Sequence, residues 1–261
     1  LDGANQIKKL AKRLKELNMK SVALTDHGCM FGALDFYINM LKEGIKPIIG
    51  IETYIHNDED LGSKNPLRFH LCLYAKNLTG DKNLMYLSSQ AYINGFYKSP
   101  RLNKKILKEH SNGLICSSAC LQGEVNYHLN TISQRNNAKG FEYAKKVALE
   151  YQDIFGDDFY LEIMRHGILE QRFIDEQIIN ISTQTGIKII ATNDTHYTTK
   201  KDSFSQEVLM CISTGKTLKD DNRLKHSVNE FYIKSCEEME RLFVDIPDAL
   251  TNTQELVDKC N

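Results

Sequence analysis

An α/β barrel is the fold class this sequence predicts, and three observations carry the prediction. Apolar, strand-like runs alternate with helical stretches along the chain. Residues of metal-ligating type finish or follow six of those runs: His27, Glu52, His70, Cys120, His166, and Asp194 with His196. A single crevice in an open doubly wound sheet draws on two or three strand ends, whereas a barrel turns all of them toward one mouth. Convergence from so many strands therefore favours the barrel, with a mainly parallel sheet.

The elements follow in order. Residues Ala4 to Leu17 carry Ile7, Leu10, Ala11, Leu14 and Leu17 at helical spacing with Lys and Arg outside, an amphipathic surface helix. Ser21-Val22-Ala23-Leu24 reads as a strand ending at the Asp26-His27 turn, and Leu34–Leu41 as a helix closed by Lys42-Glu43-Gly44. Lys46–Ile55 is a buried strand with one conspicuous acid, Glu52, and Asn57–Pro66 is a polar loop. Phe69–Ala75 is a strand with an embedded His70, and Gly113–Ser117 a short strand just before Cys120. Gly140–Phe155 is helical with Gly156 as C-cap. The strand Phe159–Met164 runs into Arg165-His166-Gly167, a helix over Glu170–Thr185 stops at Gly186, and the strand Ile187–Thr192 runs into Asn193-Asp194-Thr195-His196. Ser235 with Glu238 forms a capping box, and Pro247 opens the last helix.

Composition bounds the answer. The chain has 261 residues and no Gly/Ser-rich linker, low-complexity tract or internal repeat, so one domain over 1–261 is expected. With 33 basic and 34 acidic residues there is no global field for a polyanion, so a nucleic-acid substrate would rely on a local cleft or another domain. Seven cysteines without close C-x-x-C pairs fit a reducing cytosol, hence a cytoplasmic location. No apolar stretch approaches the roughly 20 residues of a membrane span. Leu1-Asp2-Gly3 leads straight into the first helix without an initiating Met, an abrupt opening that predicts a piece of a longer protein. A Walker A loop, a G-x-S-x-G elbow and a G-x-G-x-x-G fingerprint are absent.

Each candidate also has a plain structural reading. Asp26-His27 could cap the next helix, Glu52 could face solvent on an edge, His70 could be a satisfied core histidine, Cys120 a small buried hydrophobe and Asp194 an N-cap. Their joint recurrence at strand ends is what packing alone does not produce. His196, two residues beyond Asp194 on an extended backbone, points the same way and can share its ion. Imidazole, thiolate and carboxylate together suit Zn²⁺ or Mn²⁺ rather than Mg²⁺ or Ca²⁺. The donors exceed the needs of one tetrahedral ion, so two or three divalent ions are expected. A cluster of that kind activates water and clamps the charge of a phosphoester, which makes hydrolysis of phosphoesters the expected reaction class.

At this point the residues match a known family. The chain resembles the PHP (polymerase and histidinol phosphatase) domain of bacterial replicative DNA polymerase III alpha subunits over essentially its whole length. The matching stretches are Leu1-Asp2-Gly3-Ala4, Ala23-Leu24-Thr25-Asp26-His27-Gly28 with Met30-Phe31-Gly32, and Lys46–Glu52. Further along come Gly95-Phe96-Tyr97, Cys120-Leu121-Gln122-Gly123-Glu124, Glu162–Gly167 and Ala191–Tyr197. Asn229–Ser235 and Asp245–Thr253 resemble the polymerase branch specifically. The resemblance implies a distorted seven-stranded, TIM-like (β/α)7 barrel. It puts Asp2, His27, Glu52, His70, Cys120, Asp194 and His196 at the family's metal-ligand positions, with Glu52, Asp194 and His196 central to catalysis. Asp26, Arg165 and His166 fall where residues behind the ligands or against substrate are expected. The family opens with an H-x-H strand shortly before the Leu-Asp-Gly turn. This chain begins at that turn, so the first barrel strand and two ligands are expected upstream of Leu1.

Three functions follow from the resemblance. The first is a metal-dependent phosphoesterase within a DNA-directed DNA polymerase, trimming mispaired 3′ ends as a proofreading exonuclease in DNA replication. The second is a non-catalytic module that docks a separate exonuclease subunit and stabilises the polymerase. The third, a free-standing histidinol-phosphatase-like enzyme, is opposed by the polymerase-like C-terminal stretches. Implied partners are the remainder of the polymerase chain, DNA, the exonuclease subunit and other replisome subunits. Nothing in the chain resembles the paired aspartates of a polymerase palm.

Overall fold

The computed structural model describes residues 2–130 and 138–261; Leu1, which opens one of the family-like stretches, lies outside them. Seven strands form one curled sheet: β1 (Ser21–Leu24), β2 (Lys46–His56), β3 (Phe69–Ala75), β4 (Arg101–Asn103), β5 (Leu114–Ser117), β6 (Phe159–Met164) and β7 (Ile189–Thr192). Their order is β1-β2-β3-β5-β6-β7, with β4 paired beside β2. The result is a mixed α/β half-barrel; among the described residues no ladder joins β1 to β7.

The helices in chain order are α1 (Ile7–Glu16), α2 (Ala33–Lys42), α3 (Leu78–Ile93), α4 (Lys104–Glu109), α5 (Glu124–Asn130) and α6 (Ala138–Phe155). They continue as α7 (Leu169–Thr185), α8 (Ser203–Thr214), α9 (Cys236–Leu242) and α10 (Pro247–Lys259). The expected caps are present: Gly186 ends α7 in the left-handed conformation at φ 75°, Ser235 and Glu238 form a capping box on α9, and Pro247 opens α10. β7 starts at Ile189, two residues later than the apolar run suggests. The expected strand set lacked the short β4, and α3, α4, α5 and α8 were not anticipated. α3 has weak amphipathic patterning because it keeps Leu78, Met85, Tyr86, Tyr92 and Ile93 exposed.

The expectation of a mainly parallel sheet needs one correction. β3 runs antiparallel to both β2 and β5, while the β1–β2, β2–β4, β5–β6 and β6–β7 pairs are parallel. Residues 57–68, between β2 and β3, form no helix, so the chain has no crossover and returns beside the strand it left. The reversal has a consequence for the site. The other strands reach the mouth with their C-terminal ends, whereas β3 reaches it with its first residues, Phe69 and His70.

Strand alternation sorts the residues into layers. Ile51, Ile55, Leu71, Leu73, Cys116, Leu161, Ile163 and Ile189 face the surrounding helices, where Leu84, Leu87, Val147, Tyr151, Ile174 and Ile178 meet them. The neighbouring positions line the concave side. Ile48, Tyr74, Ile115, Tyr160 and Ile190 make an apolar floor that Leu256 and Cys260 of α10 close from below. One step up lie Cys72, Ser117, Glu162 and Thr192, and a further step reaches Glu52 and His70. Gly50 on this inner face leaves room for Tyr74, whose Cδ1 a Cβ would approach to 3.1 Å. Each side chain buried in the floor contributes about 1.5–3 kcal/mol. A separate core of Leu10, Ala11, Leu14, Phe36, Met40, Ile45 and Ile233 seats α1 and α2 on the β1 edge.

Candidate metal centre

The β1–β2 ladder fixes the first ligands. Its register pairs Leu24 with Ile49, and three residues on His27 still bridges Glu52 in parallel. Glu52 N–H donates to Asp26 O at 3.1 Å and Gly28 N–H to Glu52 O at 2.8 Å, so His27 is held as an extension of the strand. Its ring stands between two carboxylates: Nε2 is 3.1 Å from Asp2 Oδ2, and Nδ1 is pressed against Glu52 Oε2. His27 Nδ1 and Glu52 Oε2 are both buried without hydrogen-bond geometry to any partner. The second oxygen of Glu52 lies 3.0 Å from His70 Nδ1, and Cys120 Sγ lies 3.4 Å from the same nitrogen. The Cys120 loop is tied to β3 by His70 N–H donating to Gln122 O at 3.0 Å. It packs so closely that a Cβ on Gly123 would sit 2.0 Å from Ser118 O.

From the other side, the turn after β7 brings in Asp194 and His196. The ring centroids of His27 and His196 are 5.9 Å apart, and those of His27 and His70 are 5.7 Å apart. Asp194 Oδ1 is 3.6 Å from His196 Nδ1, and Asp194 adopts a left-handed backbone at φ 42°. The N-terminal segment is stitched to this turn: Ala4 N–H donates to His196 O at 2.7 Å and Asn5 Nδ2 to Thr195 O at 3.0 Å. Gln206 of α8 also donates to Asp2 O at 2.7 Å.

Two donor groups result, Asp2–His27–His196 and His27–Glu52–His70, each with its ligand atoms within 4.8 Å of one another. Their shared member, His27, offers one ring nitrogen to each side. Orphaned buried polar atoms and a mixed imidazole, carboxylate and thiol set fit a divalent metal ion. The electrostatics agree. The carboxylates of Asp2 and then Glu52 beside it push the His27 imidazole up to about 11. The His27 bond in turn holds the Asp2 carboxyl well below the usual carboxylate range. Burial would raise Glu52, but the imidazoles of His27 and His70 beside it outweigh that and bring it to about 2. Burial raises both Asp194 and the Cys120 thiol, groups that a cation would return to their ligating, deprotonated forms.

All seven expected ligands thus converge on one mouth. The three residues expected behind them lie differently. The Asp26 carboxyl, raised by burial, sits beside Gly32, whose Cβ would be 3.2 Å from Asp26 Oδ2. His166 lies behind the Asp194 turn: Nε2 is 2.8 Å from Asn193 O, Gln171 Nε2 is 2.8 Å from Nδ1, and the ring stacks on Phe231 at 4.1 Å. Burial lowers it to about 4, so it is a neutral prop donating from Nε2. Arg165 points away from the cluster. It binds Asp175 through Nε at 2.9 Å, both oxygens of Asp245 through Nη1 and Nη2 at 2.5 and 2.9 Å, and Leu242 O at 2.6 Å.

Three residues escaped the sequence reading. Glu162 is buried on the inner face and accepts from Ser117 Oγ at 2.5 Å, Ala119 N–H at 3.1 Å and Thr192 Oγ1 at 2.5 Å. Burial pushes it up to about 6. Its signal, a lone acid in the apolar strand Phe159–Met164, is the same one that singled out Glu52. Lys234, buried, donates to Asn193 Oδ1 at 2.9 Å. His226 stands 5.1 Å from the His196 ring with Nε2 buried and unpartnered. Neither had a strand-end position to mark it.

A family model described as the PHP domain matches residues 1–166. The chain belongs to the PHP domain family. Relatives of this PHP chain include DNA polymerase III subunit alpha of Helicobacter pylori (strain ATCC 700392 / 26695), 70% identical over 264 residues. The same subunit of Campylobacter jejuni is 62% identical over 265 residues, and that of Thermus aquaticus 36% over 271. Each comparison covers 100% of this chain but 22% of the relative, so the PHP chain spans about a fifth of their length. Past residue 166, β7 continues the same sheet and its turn supplies Asp194 and His196. Among the described residues no helix is long and apolar enough to cross a membrane.

Proposed function

We propose that this PHP domain is a metal-dependent phosphoesterase of a replicative DNA polymerase, hydrolysing the terminal phosphodiester at mispaired 3′ ends of DNA in the cytoplasm. The observation that carries the reading is the pair of donor groups meeting at His27 in one mouth. Two or three Zn or Mn ions held there would supply Lewis-acid stabilisation of phosphate charge and a water acidic enough to attack at neutral pH. The chain's own residues do the rest. Asp2, His27 and His196 form one bracket for a cation, and Glu52 and His70, with Cys120 alongside, form the other. Glu52, Asp194 and His196 are the groups closest to the expected chemistry. Asp194, deprotonated beside a bound cation, would face it from the β7 side, while His166 and Lys234 fix the turn that carries it.

Membership of the polymerase is supported by the relatives' name and by alignment over the whole chain. DNA-directed DNA polymerisation would then belong to the remainder of that protein. The test is elemental analysis of bound Zn and Mn, followed by digestion of a 3′-mismatched primer with Asp194→Asn as control. Bound metal with Asp194-dependent digestion is expected; a metal-free, inactive protein would refute the proposal. The second reading, a docking module for a proofreading exonuclease or another replisome subunit, is favoured by the outer face of α2. There Leu34, Tyr37, Ile38 and Leu41 are all exposed.

A further inference from the structure

Two of the stretches that carry the family resemblance, Met30-Phe31-Gly32 and Gly95-Phe96-Tyr97, take no part in the metal centre. Packing does not account for their rings either, since Phe31 is 86% exposed and Phe96 57%. Tyr92, in the last turn of α3, lies between them. Its ring centroid is 6.4 Å from that of Phe31 and 6.1 Å from that of Phe96, the latter pair stacked at 24°.

The rings are held in place rather than adrift. A Cβ on Gly95 would stand 2.0 Å from Arg101 O, and the buried Arg101 donates from Nε to Gly95 O at 3.2 Å. The backbone that presents Phe96 is therefore locked against β4. The row also starts at the mouth. Phe31 is in the loop that leaves His27, and Gly28 of that loop packs on Tyr54, where a Cβ would come within 2.9 Å of Cε2. Tyr54 in turn meets the ligand His70 edge-on at 5.2 Å. Cations stand over the adjoining rings at each end of the row: the Arg68 guanidinium lies 5.3 Å over Tyr54, and the Lys98 ammonium 5.6 Å over Tyr97, the residue after Phe96. Among the described residues no ion pair is recorded for either one, and both are exposed.

Flat faces beside free cations, continuous with a phosphoester-type centre, match a single-stranded polynucleotide. Its bases stack on rings without sequence preference while its phosphates meet cations. An apolar protein segment would use the rings and leave Arg68 and Lys98 unmatched. We infer that Phe31, Tyr92 and Phe96, flanked by Arg68 and Lys98, form a stacking platform that binds the last nucleotides of a single strand. The platform leads the strand's end into the metal centre. That delivery rests on the phosphoesterase reading; the binding itself does not.

The experiment uses the full natural polypeptide and an oligothymidylate carrying 5-iodouracil at its last positions, cross-linked by light and mapped by mass spectrometry. Adducts on the peptides of Phe31 or of Tyr92 and Phe96 are expected. Phe31→Ala and Phe96→Ala should each raise KM for oligonucleotide hydrolysis roughly 5- to 100-fold, and Phe31→Trp should keep it near the parent value. Cleavage of thymidine 5′-p-nitrophenyl phosphate, too small to span the platform, and the metal content should both stay unchanged. Adducts confined to other peptides would overturn the inference, as would a KM unmoved by both alanine variants. If the small ester is not cleaved at all, the phosphoesterase reading fails, and the adduct map still decides the platform.

Discussion

The two flanks of the mouth hold the residues proposed as ligands by different means. On the β1–β2–β3 side, ligands are continuations of a ladder: His27 bridges Glu52 in the register that already pairs Leu24 with Ile49, and His70 opens the strand next door. On the β7 side, the ladder has ended. Asp194 sits at φ 42°, a left-handed backbone that costs a non-glycine residue about 1–3 kcal/mol. Contacts from far along the chain hold it there. His196 N–H donates to Phe231 O at 2.9 Å, Lys234 holds Asn193 Oδ1 at 2.9 Å, and His166 holds Asn193 O at 2.8 Å. One flank is built by strand pairing, the other by a strut running from Glu230 to Lys234. The first should fail only when a ligand is removed, and the second when its support is.

The largest effect is therefore expected at Glu52. Glu52→Gln keeps the shape but removes the charge that both His27 and His70 face, so at least one ion should be lost per chain by elemental analysis. Phosphoester hydrolysis should fall roughly a thousandfold, because several kcal/mol of charge stabilisation leaves with the ion. Unchanged metal content in this variant would mean that the ladder flank is not the main binding site.

Next comes the strut. Lys234→Met fills the same volume without a donor, and Asn193 loses the partner that orients the turn. Metal affinity should drop about 10- to 100-fold, as is usual when a group supporting a ligand is removed, with the helical circular dichroism unchanged. Lys234→Arg is expected to recover part of it. If Lys234→Met binds metal like the parent, the strained turn stands without its strut and the contrast between the flanks disappears.

The same contrast explains what could be read from the sequence. Residues in or just after apolar runs announced themselves, because a His, Cys or acid there is visible in one dimension. That marked His27, Glu52, His70, Cys120, Asp194 and His196, while Asp2, with no strand before it, was placed only by the family resemblance. The reversal of β3 was legible but not drawn: Asn57–Pro66 reads as a loop without a helix, and a connection without a crossover helix brings the next strand back antiparallel. Lys234 and His226, by contrast, were invisible. They reach the site across irregular chain, from positions whose neighbours carry no period. Glu162 was readable by the rule that found Glu52, but its hydrogen bonds to Ser117 and Thr192 are tertiary, and only they distinguish a buried carboxyl from an exposed one.

Glu162 gives a smaller, pH-dependent effect. Its folded-state value, about 6 against an ordinary 4.5, is raised by burial, so the folded chain binds the proton more tightly than the unfolded chain. The resulting stability is fully present below pH 4.5 and is lost as pH rises through about 6. The loss amounts to about 2 kcal/mol. Glu162→Gln can still accept from Ala119 N–H and donate to Thr192 Oγ1, and it should flatten the denaturation profile between those two pH values. A profile identical to the parent's would show that Glu162 is already ionised throughout.

The smallest effect on the centre is expected at Arg165, although it follows β6 in the same way that the ligands follow their strands. Four hydrogen bonds, to Asp175, to both oxygens of Asp245 and to Leu242 O, engage all three nitrogens of its guanidinium, which lies 4.9 Å over the Phe243 ring. Those partners belong to α7, to the last residue of α9 and to the turn that follows it, so the side chain clamps two parts of the outer shell. Arg165→Lys keeps the charge but not the planar fork, and should lower stability by about 1–2 kcal/mol in urea denaturation. Metal content and KM for a small phosphodiester should not move. A rise in KM at unchanged stability would instead mean that Arg165 leaves its clamp to touch substrate, and the division between ladder, strut and outer shell would have to be redrawn around β6.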